Sequence, residues 1–215
     1  MKFWNWLKSL FKKPAVIAVE KQKDSVNDTP VKTGEGSNWY PSAIRYHKMK
    51  THGEYSTGYP KGAVVHFTAG RSENGLTDAK GIIDYGIQMG FAYLAIAKDG
   101  QVVQAHPINE WGYHAGESKW KGLFGSVSDD LIGIEICNAG KVEKIDSNKF
   151  KTWFGTYLDA SQVRYVTESD YGCPTGYYQK YTIEQENALI NLLVWLKKND
   201  KTGSFKIDYI LGHIS

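Results

Sequence analysis

Residues Gly62–Gly70, GAVVHFTAG, decide the fold of this chain. The run between the two glycines is mainly apolar, and His66 interrupts it. A short apolar run bounded by glycines predicts a β-strand that is buried on both faces. An imidazole inside such a strand costs desolvation energy unless both ring nitrogens find partners. His66 is therefore either a core histidine bonded to the backbone or part of a functional site.

A segment near the other end of the sequence has the same arrangement. Residues 209–213, YILGH, place an apolar strand and a glycine directly before His213. Two strands of one sheet can bring two imidazoles together, and imidazole nitrogens are common zinc ligands. His66 and His213 are therefore candidate ligands of one metal ion.

A third strand carries an acidic residue. In residues 131–137, LIGIEIC, three isoleucines alternate with Gly133, Glu135 and Cys137, which predicts that the two sets face opposite sides of a sheet. If the isoleucines face the helices, Glu135 faces a surface that cannot be ordinary core, because a buried unpaired carboxylate is costly. Glu135 is either a salt-bridged strand residue or a functional one.

Further signals predict helices and a hairpin around these strands. Thr77 or Asp78 can cap a helix that runs to Met89 and stops at Gly90, and Thr182 opens a later helix through a capping box with Gln185. A third signal is an Asp-Gly turn at 99–100 between apolar stretches, which predicts a hairpin of residues 93–97 and 101–105.

The rest of the domain gives weaker signals. Residues 141–179 read as an irregular insertion with short elements, and residues 204–211 read as a returning strand. Strands that alternate with helices, together with one hairpin, predict an α/β fold with a mixed central β-sheet flanked by helices.

The first 38 residues differ from the remainder. Residues 1–13, MKFWNWLKSLFKK, would place Trp4, Leu7 and Phe11 on one helical face, while Lys8 interrupts the apolar core that a secretory signal needs. This segment is either a basic amphipathic helix that contacts a membrane surface weakly or a frayed or packed terminus. Residues 14–38 are polar and turn-rich, which predicts a flexible linker, and residues 39–215 are expected to form one domain.

Composition excludes several classes of protein. A net charge of +3 without a basic stripe makes nucleic acid an unexpected partner but suits an anionic cell wall. Two cysteines, Cys137 and Cys173, exclude a disulfide framework and a cysteine-rich zinc finger.

The order of the sequence blocks matches a known family. The blocks are HFTAG (66–70), FAYLAIAKDGQVVQ (91–104), WGYHAGESKW (111–120), LIGIEICNAG (131–140), YTIEQENALINLL (181–193) and ILGH (210–213). In this order they resemble the zinc N-acetylmuramoyl-L-alanine amidases of the phage-lysozyme and peptidoglycan-recognition type. The resemblance spans about residues 39–215 and implies the fold of that family.

The resemblance also implies roles for individual residues. His66 and His213 match the first and second zinc ligands, and Glu135 matches the glutamate that serves as catalytic base. The substrate-cleft wall of the family is matched by Trp111, His114 and Trp120, although three aromatic rings near a turn could equally pack on one another. Tyr93 takes the place of a polar residue that many members carry before the Asp-Gly turn. His47, His52 and His106 match nothing in the family and are expected at the surface or in turns.

One departure from the family concerns the metal site. The third zinc ligand of the family, an Asp or Cys, lies several residues after the second histidine, together with a lysine that steadies the oxyanion. This sequence stops at Ser215, so we expect either a truncated carboxyl end or a site that is completed differently. Cys137 is the internal substitute to consider, but a small buried hydrophobe is the favoured interpretation, and Cys173 is a weaker candidate.

These observations lead to three functional hypotheses. The first is a zinc-dependent peptidoglycan hydrolase of prophage type that cleaves the bond between N-acetylmuramic acid and L-alanine. It would be a monomer, made in the cytoplasm without a classical signal peptide, and would act on the cell wall. The alternatives are an inactive peptidoglycan-binding module that lacks a complete metal site, and a cytoplasmic amidase that recycles soluble muropeptides.

Overall fold

The computed structural model describes residues 38–56, 58–118, 120, 126–168 and 173–212. The amphipathic segment 1–13, nearly all of the linker 14–38, and His213 lie outside the described residues. Within them the strands are β1 (Ala43–Arg45), β2 (Gly62–Phe67), β3 (Leu94–Ile96), β4 (Val102–Gln104), β5 (Leu131–Ile136), β6 (Lys141–Lys144), β7 (Lys149–Lys151), β8 (Tyr157–Asp159), β9 (Val163–Val166), β10 (Gly176–Gln179) and β11 (Ile210–Gly212).

The helices lie between these strands. The longer ones are α1 (Leu76–Met89) and α2 (Ile183–Asn199), and single 3₁₀ turns cover Val127–Asp129, Ala160–Gln162 and Ile207–Tyr209. No helix in the described part of the chain combines the length and the apolar character that a membrane crossing requires.

A six-stranded mixed sheet forms the centre of the molecule, in the order β1-β4-β3-β5-β2-β11. Strands β3 and β4 pair antiparallel as the predicted hairpin, and Gly100 in the turn adopts a φ of 82°. The other neighbouring strands pair in parallel. The predicted mixed central sheet is confirmed, and the carboxyl ends of β2, β3, β5 and β11 lie at one edge.

The two α-helices cover opposite faces of this sheet. The isoleucines of β5 pack in one cluster with the leucines of α2. The other face carries a second cluster in which Ala79 and Ile83 of α1 meet Ala95 and Cys137. The predicted alternation along β5 is therefore confirmed, because its small and polar residues face away from α2.

The helix ends agree with the sequence at two of the three predicted points. Thr182 and Gln185 form the predicted capping box, with both hydrogen bonds at 3.1 Å. Gly90 ends α1 in the left-handed conformation, with a φ of 77°. The prediction that Thr77 or Asp78 caps α1 is wrong: the N-cap is Gly75, and the Asp78 carboxylate accepts the backbone N–H of Asn74 instead.

The segment 141–179 is more regular than the sequence indicated. It forms a five-stranded sheet in the order β8-β7-β6-β10-β9, with antiparallel pairing throughout. Each strand has only three or four residues, which is too short for hydrophobic alternation to be read from the sequence. Similarly, the predicted strand 204–211 is shorter than expected: β11 begins only at Ile210, because a 3₁₀ turn over Ile207–Tyr209 precedes it.

The second sheet is attached at the carboxyl edge of the first. The Gln179 side chain accepts the backbone N–H of Ala139 at 2.6 Å and contacts the hydroxyl of Ser72. Trp153 donates its indole N–H to the carbonyl of Ala69 at 2.6 Å. These contacts fix the loop that follows β2.

Candidate active site

His66 and Glu135 are neighbours across the central sheet. They are register partners on the parallel strands β2 and β5, and Ala95 of β3 continues the same row. Directly paired residues point to the same face, so the imidazole and the carboxylate share one side of the sheet near its carboxyl edge. In open α/β sheets this edge is the usual place for ligands.

The carboxylate of Glu135 is strongly desolvated. Its Oε2 atom is buried and has no hydrogen-bond partner in the described part of the chain. Burial raises the pKa of Glu135 from 4.5 to about 7. Since a general base works best when its pKa lies near the operating pH, this carboxyl group is suited to exchanging a proton with a substrate or with water.

His66 contacts a second imidazole. Its Nε2 lies 3.1 Å from Nδ1 of His114, and the two rings meet edge to face. Nε2 of His114 lies 2.8 Å from the carbonyl oxygen of Leu131. His66, His114 and Glu135 therefore belong to one site, assembled from two strands and one loop.

The surroundings of His114 explain how a loop residue reaches this position. The buried hydroxyl of Ser128 accepts the backbone N–H groups of His114 and Ala115, at 3.1 and 3.2 Å. Gly133 on β5 leaves room for the ring, because a Cβ atom there would lie 2.6 Å from Cγ of His114. A glycine inside a strand commonly marks such a close approach, and that signal was present in the sequence.

Of the two metal ligands predicted from the sequence, His66 lies in the described part of the chain and His213 does not. Within the described ranges, no group of three His, Cys, Asp or Glu side chains could hold a metal ion. His66 lies in the site, and β11 ends at Gly212, which pairs with Val65 directly before His66. His213 follows Gly212 but lies outside the described residues, so its role as a ligand stays a prediction.

The cysteine considered as a substitute ligand lies in the core. Cys137 is 1% exposed and packs in the cluster beneath α1. Burial, with smaller contributions from nearby carboxylates, raises the pKa of its thiol to about 12. Because zinc binds the thiolate form, this environment favours the packing interpretation.

The predicted cleft-wall aromatics lie in two groups. Trp111 stacks on His52 at 4.9 Å and meets Tyr113 edge to face at 5.5 Å. Trp120 meets Tyr209 at 4.6 Å, close to the start of β11. Both tryptophans are partly exposed, and their contact with substrate stays a prediction.

Tyr93 has a different environment from the cleft aromatics. Its ring is 3% exposed and its hydroxyl donates to the carbonyl of Ile82 on α1 at 2.8 Å. Burial first and the charge of Glu135 second raise the pKa of Tyr93. The hydroxyl is thus bonded to the helix, and this geometry lends no support to direct substrate contact.

One of the remaining histidines lies in a bend, within the expectation, but is buried rather than exposed. His47 and His52 are exposed as expected, but His106 is only 1% exposed. Burial first, and the neighbouring His114 second, lower the pKa of His106 to about 4, so it is neutral at physiological pH. Its bend after β4 is covered by the surrounding fold, which the sequence pattern did not indicate.

Comparisons with known proteins agree with this architecture. The family model described as Amidase_2, N-acetylmuramoyl-L-alanine amidase, matches residues 56–215. No curated protein sequence matches the chain. Among solved structures, the selenomethionine derivative of AmpD is similar with a TM-score of 0.50 and 18% identity, over 82% of this chain and 84% of that one.

A second solved structure is similar at a lower level. The N-acetylmuramoyl-L-alanine amidase LysC from Clostridium intestinale URNW has a TM-score of 0.41 and 17% identity, over 81% of this chain and 83% of that one. The family model covers well over half of the sequence, including β2, β5 and β11 with the site between them. This chain belongs to the N-acetylmuramoyl-L-alanine amidase family of hydrolases.

Proposed function

We propose that this chain is a zinc-dependent hydrolase that cleaves the amide bond between N-acetylmuramic acid and L-alanine in peptidoglycan. The proposal rests on the pairing of His66 with Glu135 on the neighbouring strands β2 and β5. The Oε2 atom of Glu135 is buried and has no hydrogen-bond partner among the described residues. A desolvated carboxyl group is costly to keep, so its place beside a candidate metal ligand supports a chemical role.

The residues fit a zinc ion in their chemistry. His66 and His213 would supply two of its ligands. Neutral imidazole is a preferred zinc ligand, and the parallel pairing of β11 with β2 brings residue 212 beside residue 65. A bound zinc ion supplies Lewis acidity, which polarises an amide carbonyl and acidifies water.

Glu135 moves the proton in this proposal. Its carboxylate takes a proton from the attacking water and then delivers it to the leaving amine of L-alanine. A pKa of about 7 suits both transfers, because the ionised and protonated forms are both populated near neutral pH.

The substrate is proposed to be the polymeric wall, as for a lytic enzyme of prophage type. The partly exposed Trp111 and Trp120 offer ring faces for sugars and the stem peptide. The exposed Trp153, which bonds the Ala69 carbonyl in the loop after β2, offers a third. The competing proposals are a binding module without activity and an amidase that acts on soluble muropeptides.

One experiment separates these proposals. The purified chain is titrated with zinc, and release of stem peptide from intact peptidoglycan and from soluble muropeptides is measured. We expect one tightly bound zinc ion per chain and release from intact walls. Wall binding without zinc or release would indicate a binding module, and release from soluble muropeptides alone would indicate a recycling enzyme.

Two variants test the assigned residues in the same assay. Glu135→Gln should keep zinc binding and lower the hydrolysis rate by roughly 100- to 10,000-fold, because it removes proton transfer. His66→Ala should lose zinc binding. Glu143→Gln and His47→Ala, both at exposed positions, are the matched controls. Full activity of Glu135→Gln, or normal zinc binding by His66→Ala, would refute the roles.

A further inference from the structure

The hydrogen bonds of His114 link the carbonyl of Leu131 to His66. Nε2 of His114 faces the carbonyl oxygen of Leu131 at 2.8 Å. A carbonyl oxygen can only accept, so Nε2 of His114 carries a proton. In a neutral imidazole the other nitrogen, Nδ1, is then an acceptor. The proton that lies between the two rings therefore belongs to Nε2 of His66, 3.1 Å away.

The position of His114 is determined by packing as well as by these bonds. Ser128 holds the backbone of His114 through its hydroxyl, and Gly133 lies directly beneath the ring. The Leu131 carbonyl and Gly133 belong to β5, the strand that also carries Glu135. The strand that carries the candidate base Glu135 therefore also orients His114.

We propose that His114 is a positioning residue that keeps the His66 imidazole protonated at Nε2, so that Nδ1 of His66 is the nitrogen that binds the metal ion. Histidine ligands in metal sites usually donate their second ring N–H to a neighbouring acceptor, which fixes the ring and its tautomer. Here the acceptor is an imidazole that Leu131 orients in turn. The identity of the metal rests on the proposed function, whereas the tautomer of His66 does not.

The tautomers can be observed directly in the metal-free chain. Long-range ¹H–¹⁵N correlation spectra are recorded with ¹⁵N-labelled histidine and a chelator at about pH 8, well above the ordinary histidine pKa of about 6.5. His66→Ala and His114→Gln assign the two rings. We expect both in the Nε2–H form. A His66 ring protonated at Nδ1, or a doubly protonated His114, would reverse the hydrogen bond and overturn the proposal.

A matched pair of substitutions separates positioning from packing. In His114→Asn the amide oxygen can replace Nδ1 as the acceptor for His66, whereas His114→Gln places its amide near the Leu131 carbonyl and leaves no acceptor at the Nδ1 position. We expect His114→Gln to lower zinc affinity by about 10- to 100-fold and to mix the His66 tautomers. His114→Asn should stay within a few-fold of the unchanged chain.

Zinc affinity is measured by competition with a chromophoric chelator, and circular dichroism checks that each variant is folded. Equal loss of affinity in both variants would show that His114 serves as packing or as a ligand itself, and would overturn the proposal. If the unchanged chain binds no zinc while His66 keeps its Nε2–H tautomer, the proposed function fails and the assigned hydrogen bond stands.

Discussion

At the scale of single residues, Glu135 combines a chemical advantage with a cost in stability. Desolvation raises its pKa from 4.5 to about 7. A carboxyl group with a raised pKa holds its proton more tightly in the folded chain than in the unfolded chain. The free energy of unfolding therefore falls as pH rises from about 4.5 to about 7, and it stays lower above that range.

This cost can be measured in the metal-free chain. Glutamine imitates the protonated carboxyl group, so Glu135→Gln should be more stable than the unchanged chain above pH 7, by about 3 kcal/mol. Below about pH 4.5 the difference should vanish. Urea unfolding across this range with a chelator present is the measurement, and Glu143→Gln at an exposed position is the control. A difference that does not change with pH would contradict the desolvation of Glu135.

At the scale of elements, β5 organises the site through a residue without a side chain. Gly133 lies between Leu131, whose carbonyl accepts from His114, and Glu135. The strand thus provides the acceptor, the space and the carboxylate from three alternate residues, Leu131, Gly133 and Glu135.

Gly133→Ala tests this arrangement. The added Cβ would lie 2.6 Å from Cγ of His114, so the ring must move. We expect a loss of about 1–3 kcal/mol in the free energy of unfolding and weaker coupling of His114 to His66. In contrast, Gly81→Ala on α1 meets no atom within 4 Å and should stabilise the chain by about 0.5–1 kcal/mol. Equal stability of Gly133→Ala and the unchanged chain would be the contrary result.

The same elements indicate what the sequence could predict. The polar interruptions His66 and Glu135 stand out because β2 and β5 are otherwise apolar, and the Asp-Gly hairpin and the α2 capping box have local signatures. The contact between His66 and His114 has no local signature, because it depends on how a loop crosses β5. The second sheet was missed because its strands are short.

At the scale of the whole molecule, a small buried polar network joins the two sheets. Gln179 of β10 contacts Ala139 and Ser72, and Asn138 exchanges hydrogen bonds with Thr68. The Gln179 and Asn138 side chains are each 3% exposed. Buried polar groups that lose a partner destabilise the fold, so this network couples the second sheet to the loop after β2.

Gln179→Leu should break that coupling. It leaves the N–H of Ala139 without its acceptor, and we expect a loss of about 1–3 kcal/mol. Urea unfolding gives the loss, and amide hydrogen exchange should become faster at Ala139. Gln101→Leu, at an exposed position, is the control. Unchanged exchange at Ala139 would mean that the sheets are held together by other contacts.

The parallel pairing of β11 with β2 has a consequence for biosynthesis. Ile210 of β11 pairs with Ala63 of β2. The ribosome therefore makes β11, one of the two neighbours of β2, only after it has translated the whole chain between them. Until then a nascent chain exposes an apolar strand with unsatisfied backbone groups, which is a template for intermolecular association. Loop closure over such a separation is also slow, so the intermediate is long-lived, and high-level expression raises its concentration and favours association.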